Sequence, residues 1–118
     1  MLPAIHRMRA SWEFRDTMRH GVRAARPTLV LHARSLESPP SRVGFVVSRA
    51  VGGAVVRNRV KRRLRHLAAS QLDDSMPVSV VVRALPAAAR EPDRLVDDLT
   101  GAWSTLRRRL QTRAQVTP

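Results

Sequence analysis

The chain contains no cysteine, which excludes a disulfide framework, a thiolate metal site and a cysteine nucleophile. That absence fits a cytoplasmic protein. Tyrosine is missing as well, and two Phe and two Trp are the whole aromatic complement, so platforms for stacking nucleobases are scarce. No acidic residue stands between Glu37 and Asp73, and His6, His20, His32 and His66 are scattered. A free-standing nuclease needs clustered carboxylates or a histidine pair, so neither catalytic residues nor a metal site is expected in the chain itself. No apolar run approaches a membrane span, and Arg15 and Arg19 interrupt any signal-peptide core. The basic helix expected over about 54–71 lacks the broad Leu, Phe or Trp face that lies in a lipid interface, so no membrane association is expected.

In the middle of the acid-free stretch stands Arg57-Asn58-Arg59-Val60-Lys61-Arg62-Arg63-Leu64-Arg65. Val56, Val60, Leu64 and Leu67 recur at helical spacing, which predicts a helix over about 54–71 with a narrow buried stripe. Arg57, Lys61 and Arg65 form one ridge beside that stripe, with successive charges about 6 Å apart along the axis. Asn58 and Arg62 form the next ridge, and Arg59 and Arg63 flank the far side. Five pairs of like charges lie one turn apart and together cost about 1 to 2.5 kcal/mol unless an external anion neutralises them. A merely solvated helix would intersperse glutamate, so a polyanion is the natural partner.

The whole chain agrees. Its 118 residues carry 22 basic and 9 acidic side chains, a formal charge of +13, and the pI is near 12.0. Lys61 is the only lysine; arginine suits bidentate phosphate contacts. The length and 43% apolar content suit one domain over 1–118 with a real core. Residues 1–10 read as a basic arm and 112–118 as a disordered tail. Ser11 reads as the N-cap of a first helix over about 12–20, closed by Gly21, with Trp12 expected to pack on the core. Period two predicts a strand over Thr28–Arg34 and another over Arg42–Ser48, antiparallel to the first. Val78–Ala84 is nearly all β-branched and reads as a central strand covered on both faces. A loop over 85–90 leads to a last helix from near Pro92, with Trp103 on its core stripe and Asp97 and Asp98 in a solvated, dipole-favoured first turn.

The run from Ser48-Arg49 through Gly52-Gly53-Ala54-Val55-Val56 into Arg57-Asn58-Arg59-Val60-Lys61-Arg62-Arg63-Leu64-Arg65 resembles the signature of the bacterial ribonuclease P protein component. Phe14 with Met18, His20-Gly21 and Leu29-Val30-Leu31 resemble that family's first helix and strand. The resemblance implies an α/β (α+β) sandwich: a small mixed sheet of about four strands with three helices and a left-handed βαβ crossover, which the handedness rule alone would not predict. It implies that catalysis belongs to an RNA subunit, with magnesium bound mainly by that RNA and the substrate. The chain would be the protein subunit of the ribonucleoprotein that removes the 5′ leader from precursor tRNA. Arg49, Arg57, Asn58, Arg59, Lys61, Arg62 and Arg65 would then meet the catalytic RNA, and Phe14, Met18, Val30 and His32 would line a cleft for the leader. No obligate protein partner is implied.

The family often has an aromatic where Met18 stands and tyrosine where His32 stands, so leader binding here is expected to lean on charge and shape. The alternative is a structural RNA-binding protein of ribosomal type. A DNA-binding helix-turn-helix is disfavoured because a strand and a Gly-Gly turn, and no helix, precede the arginine helix.

Overall fold

The computed structural model describes residues 2–73 and 75–116. After a 3-10 turn at Ala4–His6, the elements are α1 (Ser11–His20), β1 (Val22–Ala25), β2 (Leu29–Ser35), β3 (Arg42–Val46), α2 (Ala54–Ala69), β4 (Val78–Ala84), the short α3 (Ala87–Arg90) and α4 (Leu95–Val116), the last preceded by a 3-10 turn at Pro92–Arg94. The strands form one mixed sheet in the order β1-β2-β4-β3. Among the described residues no helix is long and apolar enough to cross a membrane.

Sheet order departs from expectation in one respect. The Arg42–Ser48 strand does not pair antiparallel with β2; β4 stands between them, antiparallel to β2 and parallel to β3. The cause lies in β4 itself. Val80 and Val82 face one side and Ser79 and Val81 the other, and all four are buried, so this strand must take an interior position. It reaches β3 in parallel through the α2 crossover. β1 was not foreseen: Val22-Arg23-Ala24-Ala25 is too short and too poor in β-branched residues to announce a strand, and it forms by pairing with β2.

Leu29, Leu31, Ala33, Val43, Val80 and Val82 form the core face, packed against Val60, Leu64 and Ala68 of α2 and against Leu95, Leu99, Trp103, Leu106 and Leu110 of α4. Each Leu withdrawn from water contributes roughly 1.5–3 kcal/mol. The other face is covered by α1, with Met8 beside Phe14 over Gly44, and α1 is pinned by a 2.6 Å hydrogen bond between Thr17 Oγ1 and Ser79 Oγ. Gly52, at φ 157°, turns the chain into α2, and a side chain there would crowd Val56.

Several local expectations need correction. Ala10, not Ser11, is the N-cap residue of α1, and no side chain caps it. Trp12 is 59% exposed, because Thr17 turns the opposite face of α1 to the sheet. Asp98 is not solvated: it is buried and accepts hydrogen bonds from the Thr28 backbone N–H and hydroxyl, tying α4 to the start of β2. The loop expected over 85–90 contains α3. The N-terminal arm is partly structured, since Leu2 is fully buried and Met8 N–H donates to the Val43 carbonyl at the edge of β3. α4 continues as helix past the start of the expected tail to Val116; Thr117 and Pro118 lie outside the described residues.

Candidate nucleic-acid interface

α2 forms where expected and presents the expected faces. Val60 and Leu64 are buried, Val56 and Leu67 half-buried, Arg57, Lys61 and Arg65 half-buried beside them, and Asn58, Arg59, Arg62 and Arg63 exposed. Arg49 is exposed in the turn before the helix. Among the described residues no α2 cation lies within 4 Å of a carboxylate. Asp93 lines a cavity with Arg59, Arg62 and Arg63 but forms no ion pair with them, while Glu13 pairs with Arg42 at 3.5 Å and Asp16 with Arg34 at 2.8 Å. The helix therefore presents an uncompensated cationic surface, as a polyanion-binding element requires.

The structure also joins two sets of residues that the sequence held apart. Phe14, Lys61 and Arg65 line one cavity of about 230 Å³, together with Arg7, Met8, Arg9, Val43, Gly44 and Phe45. It lies at the β3 edge of the sheet. The Phe14 ring rests directly on Gly44, where a Cβ would stand 2.4 Å from a ring carbon and 2.9 Å from the Met8 sulfur. Only glycine lets the ring lie this close to the strand. Arg7, Arg9, Gly44 and Phe45 were missed as site residues; a glycine inside a strand opposite an aromatic was the one available signal.

Met18, Val30 and His32 do not line this cavity. Met18 is half-buried on α1, and Val30 is 3% and His32 8% exposed on the sheet face beneath it. These two residues are floor, with little surface for a ligand. Burial pushes the His32 imidazole below its ordinary pKa of 6.5, and the neighbouring Arg23 and Arg83 push it the same way. Its Nε2 is buried without a hydrogen-bond partner.

The sign of the resulting pH effect follows from linkage. As pH falls below 6.5, the unfolded chain protonates this histidine before the folded one does, so stability falls. The loss ends once pH has passed below the folded-state pKa. Urea unfolding between pH 7.5 and 5 should therefore show a decline that His32→Gln removes; equal slopes for parent and variant would contradict this account.

Among the described residues no three His, Cys, Asp or Glu side chains gather as a metal-ligand set. What the fold and surface define is a small α+β RNA-binding domain, with cations on a crossover helix beside an aromatic-lined cleft. The ribonuclease P family model matches residues 2–107. The ribonuclease P protein component of Kocuria rhizophila is 50% identical, over 92% of this chain and 98% of that protein. That of Beutenbergia cavernae is also 50% identical, over 100% and 98%. The fold matches the Staphylococcus aureus RNase P protein with a TM-score of 0.74 at 21% identity, covering 85% of this chain and 94% of that one. It matches the Thermotoga maritima protein at 0.69 and 24%, covering 86% and 96%.

The chain belongs to the ribonuclease P protein family, and its role is that of the protein subunit of the ribonucleoprotein endoribonuclease that forms the 5′ end of tRNA. A ribosomal-type role is thereby displaced.

Proposed function

We propose that α2 seats on the phosphate backbone of the catalytic RNA while the Phe14 cavity receives the single-stranded 5′ leader of precursor tRNA. Arg49, Arg57, Arg59, Lys61, Arg62 and Arg65 supply the cations for the first contact, and Asn58 supplies a neutral donor and acceptor for a base or ribose edge. One observation carries the reading: Phe14 and the Lys61–Arg65 ridge are walls of one cavity. A strand entering it meets an aromatic ring for a base and ammonium and guanidinium groups for its phosphates, the combination that binds single strands with little sequence preference. Met18 lies further along α1, and Val30 and His32 are buried on the sheet face beneath that helix, outside this cavity.

The protein contributes no bond-breaking group to this scheme. Glu13 and Asp16, the carboxylates of α1, are held by arginines, and in this reading the magnesium is bound mainly by the RNA and the substrate. Its work is to position the leader and neutralise charge, in the cytoplasm, without a membrane or an obligate protein partner.

The test adds the chain to a bacterial catalytic RNA at low magnesium, where precursor cleavage should accelerate. Phe14→Ala should weaken binding of precursor tRNA by roughly 1–3 kcal/mol, the value of one stacked base, and leave mature tRNA unchanged. Cleavage by rigorously RNA-free protein would sink the assignment. Equal losses for precursor and mature tRNA would reduce Phe14 to a packing residue.

A further inference from the structure

A second group of arginines lies at the opposite edge of the sheet. β1 is one edge strand and β3 the other, three interstrand spacings or about 14 Å apart. Along the β1 edge, Arg26 Nη2 donates to Thr105 Oγ1 at 2.9 Å, and Arg108 Nη2 donates to the same oxygen at 3.1 Å. The two guanidinium nitrogens are therefore no more than about 6 Å apart. Arg26 lies across Gly101 of α4, its Nε 3.5 Å from where a Cβ would stand, and its Nη1 donates to the Ala25 carbonyl at 2.8 Å. Arg109 reaches across to the Arg23 carbonyl of β1.

All of these guanidiniums are held by neutral oxygens. Among the described residues none of Arg26, Arg108 and Arg109 lies within 4 Å of a carboxylate. Asp98, the buried acid of α4, is occupied by Thr28. Asp97 stands one turn from Gly101, about 6 Å along the axis, but is not within 4 Å of any of these guanidiniums. Holding like charges together on a hydroxyl and on peptide carbonyls fixes their direction and leaves their charge uncompensated. The guanidinium forks retain free donors, which suit phosphate oxygens.

We propose that the β1–α4 edge, through Arg26, Arg108 and Arg109, is a second RNA-backbone site, so that the protein holds two RNA segments at opposite edges of its sheet. A row of cations along an edge, Arg108 and Arg109 exposed and Arg26 half-buried, fits a run of phosphodiesters; a lone small anion would call for an enclosed site. This inference rests on the reading of α2 as the first RNA surface, and the two are separable because they use different residues.

The test preassembles the chain with the catalytic RNA at equal stoichiometry and titrates in a fluorescent single-stranded RNA of mixed sequence across a salt series. Arg26→Gln/Arg108→Gln should weaken loading of this second RNA at least about tenfold and lower its salt slope by about 1.4, roughly 0.7 for each phosphate contact removed from a single strand. Arg109→Gln, at an exposed position, should lower the slope by about 0.7. Assembly with the catalytic RNA and the melting temperature should hold for both variants. Unchanged loading of the second RNA by folded Arg109→Gln and Arg26→Gln/Arg108→Gln protein would overturn the proposal. So would loss of binding to vesicles rich in anionic lipid while RNA loading persists, which would make the edge a lipid surface. Failure of α2 variants to weaken assembly would instead overturn the reading of α2, and the edge variants would still be scored on the second strand.

Discussion

Replacing Arg57, Lys61 and Arg65 together by alanine should weaken assembly with the catalytic RNA by two orders of magnitude or more. A hydrogen bond to a charged group contributes about 1.5–3 kcal/mol, and even about 1 kcal/mol from each of three such contacts sums to more than a hundredfold. The salt slope should fall by about 3. The fold should survive, because all three side chains sit beside the buried stripe of α2 and not in it, and removing like charges one turn apart relieves repulsion. Asn58→Ala should lower activity while leaving the slope in place, since it carries no charge. Filter binding across a salt series, with Ala substitution of the exposed Arg90 on α3 as the control, decides the matter; a triple variant that matches the control would remove α2 from the RNA surface.

The largest effect on stability should come from Trp103. Its side chain is 2% exposed in the core beneath β2 and β4, whereas Trp12 is 59% exposed on α1. Trp103→Ala should cost about 3–5 kcal/mol, a large part of the 5–15 kcal/mol that typically separates folded from unfolded domains. Trp12→Ala should fall within about 0.5 kcal/mol of the parent. Urea denaturation of both variants, followed by tryptophan fluorescence of the one that remains, reads the difference directly. Comparable losses at the two positions would mean that Trp12 packs in the core as Trp103 does.

The two tryptophans show where sequence reasoning stops. Each stands in a helix and each is expected in the core, but only Trp103 has apolar neighbours at helical spacing, Leu99, Leu106 and Leu110; Trp12 has Arg15, Asp16 and Arg19 there. Only Trp103 belongs to a stripe long enough to dictate which side of its helix is buried. α1 is a single short helix on a sheet face, and the hydrogen bond between Thr17 and Ser79, 62 positions apart in the chain, sets its rotation. Asp98 follows the same rule. Its position predicts a solvated first-turn acid, but Thr28 arrives from another part of the chain and buries it.

By itself the sequence determined what is local. The α2 helix, its buried stripe, its cationic ridges and the absence of acid near them follow from spacing within a few turns, and so did the family. Two-sided apolarity was enough to make β4 a central strand. Tertiary structure alone decided which strand lies beside which, because backbone pairing partners carry no mark in sequence; β3 went to the edge and β1 became a strand only by pairing. It also brought Arg7, Phe14, Gly44 and Lys61 to one cavity, and Arg26 and Arg108 to one hydroxyl. Those meetings depend on crossovers and close approaches between distant segments, and no periodicity within a segment encodes them.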